Sequence, residues 1–287
     1  MTAATTFYWL MRAREADVIL HAMTERRRKR ILRQHVQTDR LLGVDAVPLG
    51  EPVAPVPTAA GSASRSSTVA SAVRSNAAPL LATVAEPLPR LDREGKLRVL
   101  EAMRLEEVQN CRKCELCRGR LNTVFGEGDV DASILFIGEG PGQNEDEQGR
   151  PFVGRAGELL DKMIAAMGLK REQVYIANIV KCRPPNNRAP TPIEVETCWP
   201  YLYRQIATIR PKVIVTLGGP AAKAVLGTSE GITRLRGTWH SYVLGPGEEP
   251  IPVMPTFHPA YVLRNYTPEV RGKVWSDLQQ VMKLVGL

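Results

Sequence analysis

Short apolar runs alternate with amphipathic stretches over roughly the last two thirds of the chain. Each run is bounded by turn residues and is too short for a helix, so the pattern predicts four buried strands, at residues 133–137, 174–180, 212–217 and 251–257. Between and after these runs, apolar residues recur at helical spacing. This spacing predicts helices at residues 156–167, from 192 to about 209, from 220 over a short stretch, and at 268–284.

Strands that alternate with helices indicate an α/β fold, a three-layer sandwich in which helices flank a central, mostly parallel four-stranded sheet. Sheets of this kind bind ligands at the carboxyl ends of their strands. Three loops with unusual chemistry leave the predicted strands at that edge, and they begin at Gly138, Asn178 and His258. We therefore expect the functional site there.

The first part of the chain has a different composition. Residues 1–42 are predicted to form a basic helical N-terminal extension. Its charged run at residues 25–30 is either a nucleic-acid contact or a solvated helix face. Residues 43–88 are rich in Ala, Pro, Ser, Val and Gly and lack aromatic residues, which predicts a disordered linker. The globular domain is then expected over residues 89–287.

The chain carries a net charge of +8 and has a sequence pI of about 9.4. This charge favours a polyanionic partner, nucleic acid before an anionic membrane, although a merely basic soluble protein has the same charge. No apolar run approaches the roughly 20 residues of a membrane span, and the N-terminus lacks the layout of a secretory signal. We expect a cytoplasmic protein, in which clustered cysteines bind metal or do chemistry more often than they form disulfides.

The five cysteines form a candidate metal site. Cys111, Cys114 and Cys117 follow the spacing C-x2-C-x2-C, and Cys182 and Cys198 come much later in the chain. If the chain folds back, early and late cysteines can form a tetrahedral thiolate site, which both iron–sulfur clusters and structural zinc use. Spacing alone does not distinguish zinc from iron–sulfur, and it leaves one cysteine too many for four ligands. The remaining alternative is reduced, unconnected cysteines, which seldom occur in such a cluster.

The three loops contain residues suited to a flat, amide-like ligand. The glycines of the GEGPG run at residues 138–142 let the backbone approach a ligand closely. Carboxylates such as Glu145 suit hydrolysis through a cationic transition state better than they suit phosphate binding. Phe152 lies between glycines, and its ring either packs in the hydrophobic core or stacks on a base. Asn178 offers a donor and an acceptor to a ligand, and His258 stands at the end of the fourth strand.

Taken in order, these motifs resemble the family 4 uracil-DNA glycosylases, the iron–sulfur branch of the uracil-DNA glycosylase superfamily. The resemblance covers roughly residues 105–287 and rests on the runs GEGPG with Glu145-Asp146, GRPFVG at 149–154, NIVKCRPP at 178–185 and HPAY at 258–261. It implies a monofunctional DNA-repair enzyme that hydrolyses the N-glycosidic bond of deoxyuridine, releases free uracil and leaves an abasic site. It also implies a 4Fe–4S cluster whose ligands are Cys111, Cys114, Cys182 and Cys198. Cys117 is then a bystander or exchanges with Cys114.

By the same resemblance, an extruded uracil base binds in a pocket. The implied uracil-binding residues are Glu139, Gly140, Glu145, Phe152, Asn178 and His258. Phe152 would stack on the base, and Asn178 would hydrogen-bond its Watson–Crick edge. Glu145 would crowd the C5 position, so that the methyl group of thymine is refused.

The residues implied in catalysis are Glu139, Asn178 and His258. Backbone groups of Glu139 and Gly140 would hold a uracil carbonyl, and His258 would stabilise negative charge on the departing uracil oxygen. Glu139 would also stabilise the cationic sugar or position the attacking water. The segment after His258, up to Asn265, would press on the DNA beside the extruded base, with Arg264 near a phosphate.

Two other functions fit the motifs. One is a non-catalytic damaged-DNA-binding iron–sulfur protein of the same fold, which would bind uracil-DNA without turnover. The other is a zinc-stabilised α/β protein for a different base or nucleotide, which would lack the visible absorption of an iron–sulfur protein at about 400 nm. For the uracil-DNA glycosylase interpretation we expect a monomer associated with the nucleoid. Its expected partner is single- or double-stranded DNA that contains uracil, and no membrane partner is expected.

Overall fold

Six strands form one mixed sheet in the computed structural model, which describes residues 90–245 and 247–287. The predicted N-terminal extension and linker lie outside the described residues. The strands are β1 (Glu127–Gly128), β2 (Ile134–Gly138), β3 (Tyr175–Asn178), β4 (Val213–Leu217), β5 (His240–Tyr242) and β6 (Ile251–Thr256). Their order across the sheet is β1-β3-β2-β4-β6-β5.

The four predicted strands form the parallel centre of this sheet, β3-β2-β4-β6. The prediction of a four-stranded sheet was incomplete, because β1 and β5 pair antiparallel at the two edges. They are only two and three residues long, too short to show an alternating pattern. The mixed sheet with helices on both faces is nevertheless the predicted α/β class.

The described residues form eight α-helices, of which the third, fourth, fifth and eighth along the chain were predicted. They are α1 (Arg93–Ala102), α2 (Gln143–Gln148), α3 (Arg155–Ala166), α4 (Pro192–Ile209), α5 (Gly219–Leu226), α6 (Ile232–Leu235), α7 (Pro259–Arg264) and α8 (Pro268–Val285). A π-helical stretch, Met103–Val108, continues α1. Short 3₁₀ helices cover Glu115–Arg118, Arg171–Gln173 and Pro185–Asn187. Within the described ranges, no helix is both long enough and apolar enough to cross a membrane.

Helix α4 shows why the boundaries could be predicted. Thr191 caps its first turn by accepting a hydrogen bond from the N–H of Glu194, and the Glu194 carboxylate accepts one from the N–H of Thr191. This reciprocal capping box, with Pro192 at the first helical position, is a strong start signal. Arg210, in a left-handed conformation, ends the helix.

Alternate residues of the central strands enter two separate cores. Leu135 and Ile137 pack with residues of α1, α4 and α5. Ile134 and Phe136 pack with residues of α3 and α8. Since neighbouring side chains of a strand point to opposite faces, the two cores lie on the two faces of the sheet. This arrangement is the predicted three-layer sandwich, and it brings the carboxyl ends of β2, β3, β4 and β6 to one edge.

Candidate functional site

A cavity of about 510 Å³ opens beyond the carboxyl ends of the parallel strands. Its volume is within the usual range of small-molecule pockets. All six residues predicted to bind a ligand line it, namely Glu139, Gly140, Glu145, Phe152, Asn178 and His258. The structure therefore brings together residues that are spread over about 120 positions of the sequence.

Asn178 is the last residue of β3 and pairs with Gly138, the last residue of β2. Its side chain is buried, and within the described part of the chain its Oδ1 atom has no hydrogen-bond partner. A buried polar atom without a partner is costly, so this atom indicates a ligand that supplies a donor. Gly138 makes room for the site, because a Cβ atom there would collide with Oδ1 of Asn178 and lie 2.6 Å from the ring of Phe152.

Phe152 and His258 form an aromatic wall of the cavity. Their ring centroids lie 5.5 Å apart, and their planes are tilted by 31°. Phe152 adopts a φ of 50°, a left-handed conformation that is rare for a bulky residue. An aromatic ring held in this way offers a face on which a planar ligand can stack.

His258 caps the N-terminus of α7, and its Nδ1 atom accepts a hydrogen bond of 3.1 Å from the N–H of Ala260. The neutral imidazole must therefore carry its proton on Nε2. Burial, with the nearby positive charge of Arg264, lowers the pKa of His258 to about 4, against a smaller opposing effect of Glu145. At neutral pH the ring is thus an uncharged hydrogen-bond donor.

The loop after β2 is fixed by Glu145. One oxygen of its carboxylate accepts a hydrogen bond from the N–H of Gly142, and the other accepts from the N–H groups of Val153 and Gly154. Glu145 therefore joins the GEGPG run to the loop that carries Phe152. This organising contact was not predicted from the sequence. The side chain of Glu139, the other acid of the loop, is half-buried, and burial raises its pKa.

Further residues of the cavity were missed at the sequence level. They include Pro184, Asn187, Arg188, Gly218, Gly219, Ile232 and Phe257. The run from Gly218 to Pro220 follows β4 just as the GEGPG run follows β2, so its place at a strand end was a usable signal. Gly218 has a φ of 92° and approaches His258, whose Cβ atom would lie 3.0 Å from an added Cβ. Asn187 and Ile232 carried no comparable signal.

The five cysteines line a second, smaller cavity between the start of the domain and α4. All five are free thiols, with Cys182 and Cys198 buried and the three early cysteines partly exposed. The structure therefore brings the early and late cysteines together, as the sequence predicted. Within the described ranges, no three His, Cys, Asp or Glu side chains come close enough to share a single metal ion.

Three of the cysteines accept hydrogen bonds at sulfur. The donors are the hydroxyl of Tyr201 to Cys111, the guanidinium of Arg120 to Cys182, and the N–H of Lys181 to Cys198. Hydrogen bonds of this kind stabilise thiolates that are metal ligands.

A buried lysine lies beside these thiols. The ammonium group of Lys181 is fully buried and donates to the carbonyl of Asn178 at 2.8 Å and to Oε1 of Gln205 at 2.6 Å. Both acceptors are neutral, and in the part of the chain that the structure describes no carboxylate contacts this ammonium group. An isolated buried cation is unfavourable. The lysine therefore fits a neighbouring group of negative charge, which four thiolates around a cluster would supply.

Comparison with known proteins gives consistent matches. Residues 125–279 match the model of a family described as the Uracil DNA glycosylase superfamily. A type-4 uracil-DNA glycosylase from Thermotoga maritima is 46% identical over 181 residues, which make up 63% of this chain and 92% of that protein. A type-4 uracil-DNA glycosylase from Sulfurisphaera tokodaii is 49% identical over 184 residues, 62% of this chain and 82% of that protein. A third, from Archaeoglobus fulgidus, is 45% identical over 186 residues and 92% of its length.

Proposed function

Because this chain belongs to the uracil DNA glycosylase superfamily and, within it, to the type-4 uracil-DNA glycosylases, we propose that it is a DNA-repair enzyme that excises uracil from DNA. It hydrolyses the N-glycosidic bond of deoxyuridine, releases free uracil and leaves an abasic site. The observation that carries this proposal is the buried, unpartnered Oδ1 atom of Asn178 in a cavity walled by Phe152 and His258.

The cavity suits a base that has been turned out of the helix. An enzyme that acts on a nucleobase must extrude it and bind it between side chains. The face of Phe152 supports stacking, and Oδ1 of Asn178 accepts the N3–H of uracil. Cytosine has no hydrogen on N3, so the same contact discriminates against it. The carboxylate of Glu145 lies at the wall of the cavity, where it restricts the space available beside the ring.

His258 and Glu139 supply the chemistry. As the bond from C1′ to N1 breaks, the electron pair stays on uracil, and negative charge develops on its O2 atom. The Nε2–H group of His258 donates to this oxygen, and placed donors of this type are worth a few kcal/mol of barrier. The departing base leaves a cationic sugar, to which water adds at C1′. The half-buried carboxyl group of Glu139 stabilises that sugar or orients the water.

The cysteine cavity supports the proposal of a 4Fe–4S cluster. Its ligands are Cys111, Cys114, Cys182 and Cys198, three of which, Cys111, Cys182 and Cys198, accept hydrogen bonds at sulfur. The thiols line a cavity instead of meeting at one point, as the ligands of a cluster with several irons would. These residues would hold the cluster, which would supply a tie between the start of the domain and α4. Cys117 is left as a spare thiol.

We also propose that the protein works as a monomer in the cytoplasm, associated with the nucleoid, since its substrate is chromosomal DNA. The net charge of +8 favours binding to the phosphate backbone. Residues 1–42 would form a basic extension, residues 43–88 a linker, and residues 89–287 the catalytic domain. Limited proteolysis of the full chain tests this organisation, because residues 43–88 should be cleaved first.

The proposed activity is tested with oligonucleotides that contain one uracil, as single strands and opposite guanine or adenine. We expect release of free uracil, measured by chromatography, and a strand that breaks at the former uracil on alkaline heating. A matched oligonucleotide with thymine in place of uracil should stay intact. Tight binding of the uracil oligonucleotide without release of the base would favour the non-catalytic alternative and contradict the proposed function.

The low pKa of His258 predicts that the rate of uracil release does not fall as the pH is lowered from neutral towards about 4. Because His258 stays neutral down to about pH 4, single-turnover uracil release should show no loss near the ordinary histidine pKa of 6.5. Replacing His258 by glutamine should lower the rate by about a hundredfold. A wild-type inflection near pH 6.5 that disappears in the glutamine variant would contradict this assignment.

A further inference from the structure

Arg171 stands outside the cavity and contacts the loop that carries Phe152. Its guanidinium group donates to two successive carbonyl groups of that loop, those of Pro151 and Phe152, the latter at 3.2 Å. The side chain is largely buried. A planar guanidinium is the one side chain that can donate in fixed directions to several acceptors at once.

The same guanidinium also contacts two carboxylates. It donates to Oε1 of Glu127 at 2.8 Å and to Oδ1 of Asp161 at 2.6 Å. Glu127 belongs to the edge strand β1, and Asp161 belongs to α3. Arg171 therefore ties the Phe152 loop to two regular elements of the fold.

The loop needs this support because its conformation is unfavourable. Phe152 has a φ of 50°, and a bulky residue in this region is strained unless its surroundings hold it. The ring is nearly fully buried and lies beside His258 in the wall of the cavity. Relaxation of Phe152 toward an ordinary φ would turn the ring away from the ligand, because the backbone and ring orientations are linked.

We propose that Arg171 is a positioning residue that holds the Phe152 ring in the orientation that stacks on uracil, and that it acts on binding of the base through Phe152 alone. This inference deepens the proposed function, on which it rests. Arg171 touches neither the base nor the sugar, so its effect should appear in binding of uracil more than in bond cleavage.

The test compares Arg171→Met with Arg150→Met as a matched control. Arg150 also pairs with Glu127, but it donates to no loop carbonyl. For Arg171→Met we expect the inhibition constant for free uracil and KM to rise about tenfold, a loss typical of base stacking. The value of kcat should change less than about threefold, because stacking is present before and during bond cleavage. Arg150→Met should leave all three constants within about twofold.

Double variants decide whether Arg171 acts through the ring. In a Phe152→Ala background, Arg171→Met should weaken uracil binding by less than about twofold further, because the ring that it positions is absent. Two effects that multiply in the double variant would overturn the proposal and assign Arg171 a general structural role. An effect of Arg150→Met equal to that of Arg171→Met would overturn it as well.

A second variant tests the same role of Arg171 if Arg171→Met fails to fold. Asp161→Asn removes the negative charge of one anchor of Arg171 at a half-exposed position, and we expect a smaller rise of the uracil inhibition constant with an unchanged melting temperature. Binding of free uracil is also followed by ligand-observed NMR, which needs no turnover. A wild-type protein that binds uracil but releases none would contradict the proposed function and leave this inference standing, whereas absence of uracil binding would contradict both.

Discussion

Replacing Asn178 by alanine lowers the single-turnover rate of uracil release by about a hundredfold to a thousandfold, the largest effect expected of one pocket residue. The reason is that the amide is the group best placed to read the edge of the base, and its Oδ1 atom has no other partner among the described residues. The substitution leaves that edge of uracil without its acceptor. Rates are measured with the single-stranded uracil oligonucleotide at saturating enzyme.

Two further variants test whether the effect comes from the Asn178 amide itself. Asn178→Asp keeps the shape of the side chain but exchanges the amide N–H₂ group for an acceptor, so it should also be strongly impaired. Asn122→Ala removes an asparagine that lies outside the cavity and donates to carbonyls of α2, and it should keep nearly wild-type activity. Asn178→Ala with activity within about tenfold of wild type, in a folded protein, would refute the assigned role.

We expect replacement of Cys198, a proposed cluster ligand, by serine to abolish the iron–sulfur absorption and to destabilise the domain, the second large effect. Without the proposed cluster, the buried ammonium of Lys181 would lack a compensating charge, and loss of such a partner commonly costs about 3–5 kcal/mol. For a domain of this size we expect the melting temperature to fall by about 10 °C. Iron content, visible absorption and thermal unfolding are measured on protein purified without oxygen.

Cys117→Ser is the matched control for this experiment. Cys117 lines the same cavity and is the cysteine outside the proposed ligand set. We expect its iron content and melting temperature to match the wild type. Loss of iron in Cys117→Ser comparable with that in Cys198→Ser would show that Cys117 is a ligand, and the proposed ligand set would be wrong.

The central elements could be predicted because their signals are local. Helix α4 begins and ends where its capping residues place it, and the four central strands are continuous apolar runs. The edge strands β1 and β5 carry no such signal, because two or three residues become a strand only when a neighbouring strand pairs with them. Tertiary pairing, which the sequence pattern does not contain, decides them.

The candidate site was predictable to the extent that its residues stand at strand ends. Residues Asn178 and His258 were found in this way, and the structure places them in one cavity. Arg171, Lys181 and the organising contacts of Glu145 were not found, because a sequence pattern does not show which distant acceptors a side chain will reach. The partner of Arg171 in β1, for example, lies 44 positions away.

The short stretch from Asn178 to Cys182 has a consequence for protein engineering. The residue proposed to read the base, the buried Lys181 and a proposed cluster ligand lie within five consecutive positions, and Lys181 donates to the carbonyl of Asn178. An insertion here would shift the proposed recognition amide and the proposed metal ligand together. Under the proposed function, base specificity and metal dependence would change together, and a redesign that moves this pocket into a metal-free scaffold should also replace Lys181, whose buried charge would have no compensating group.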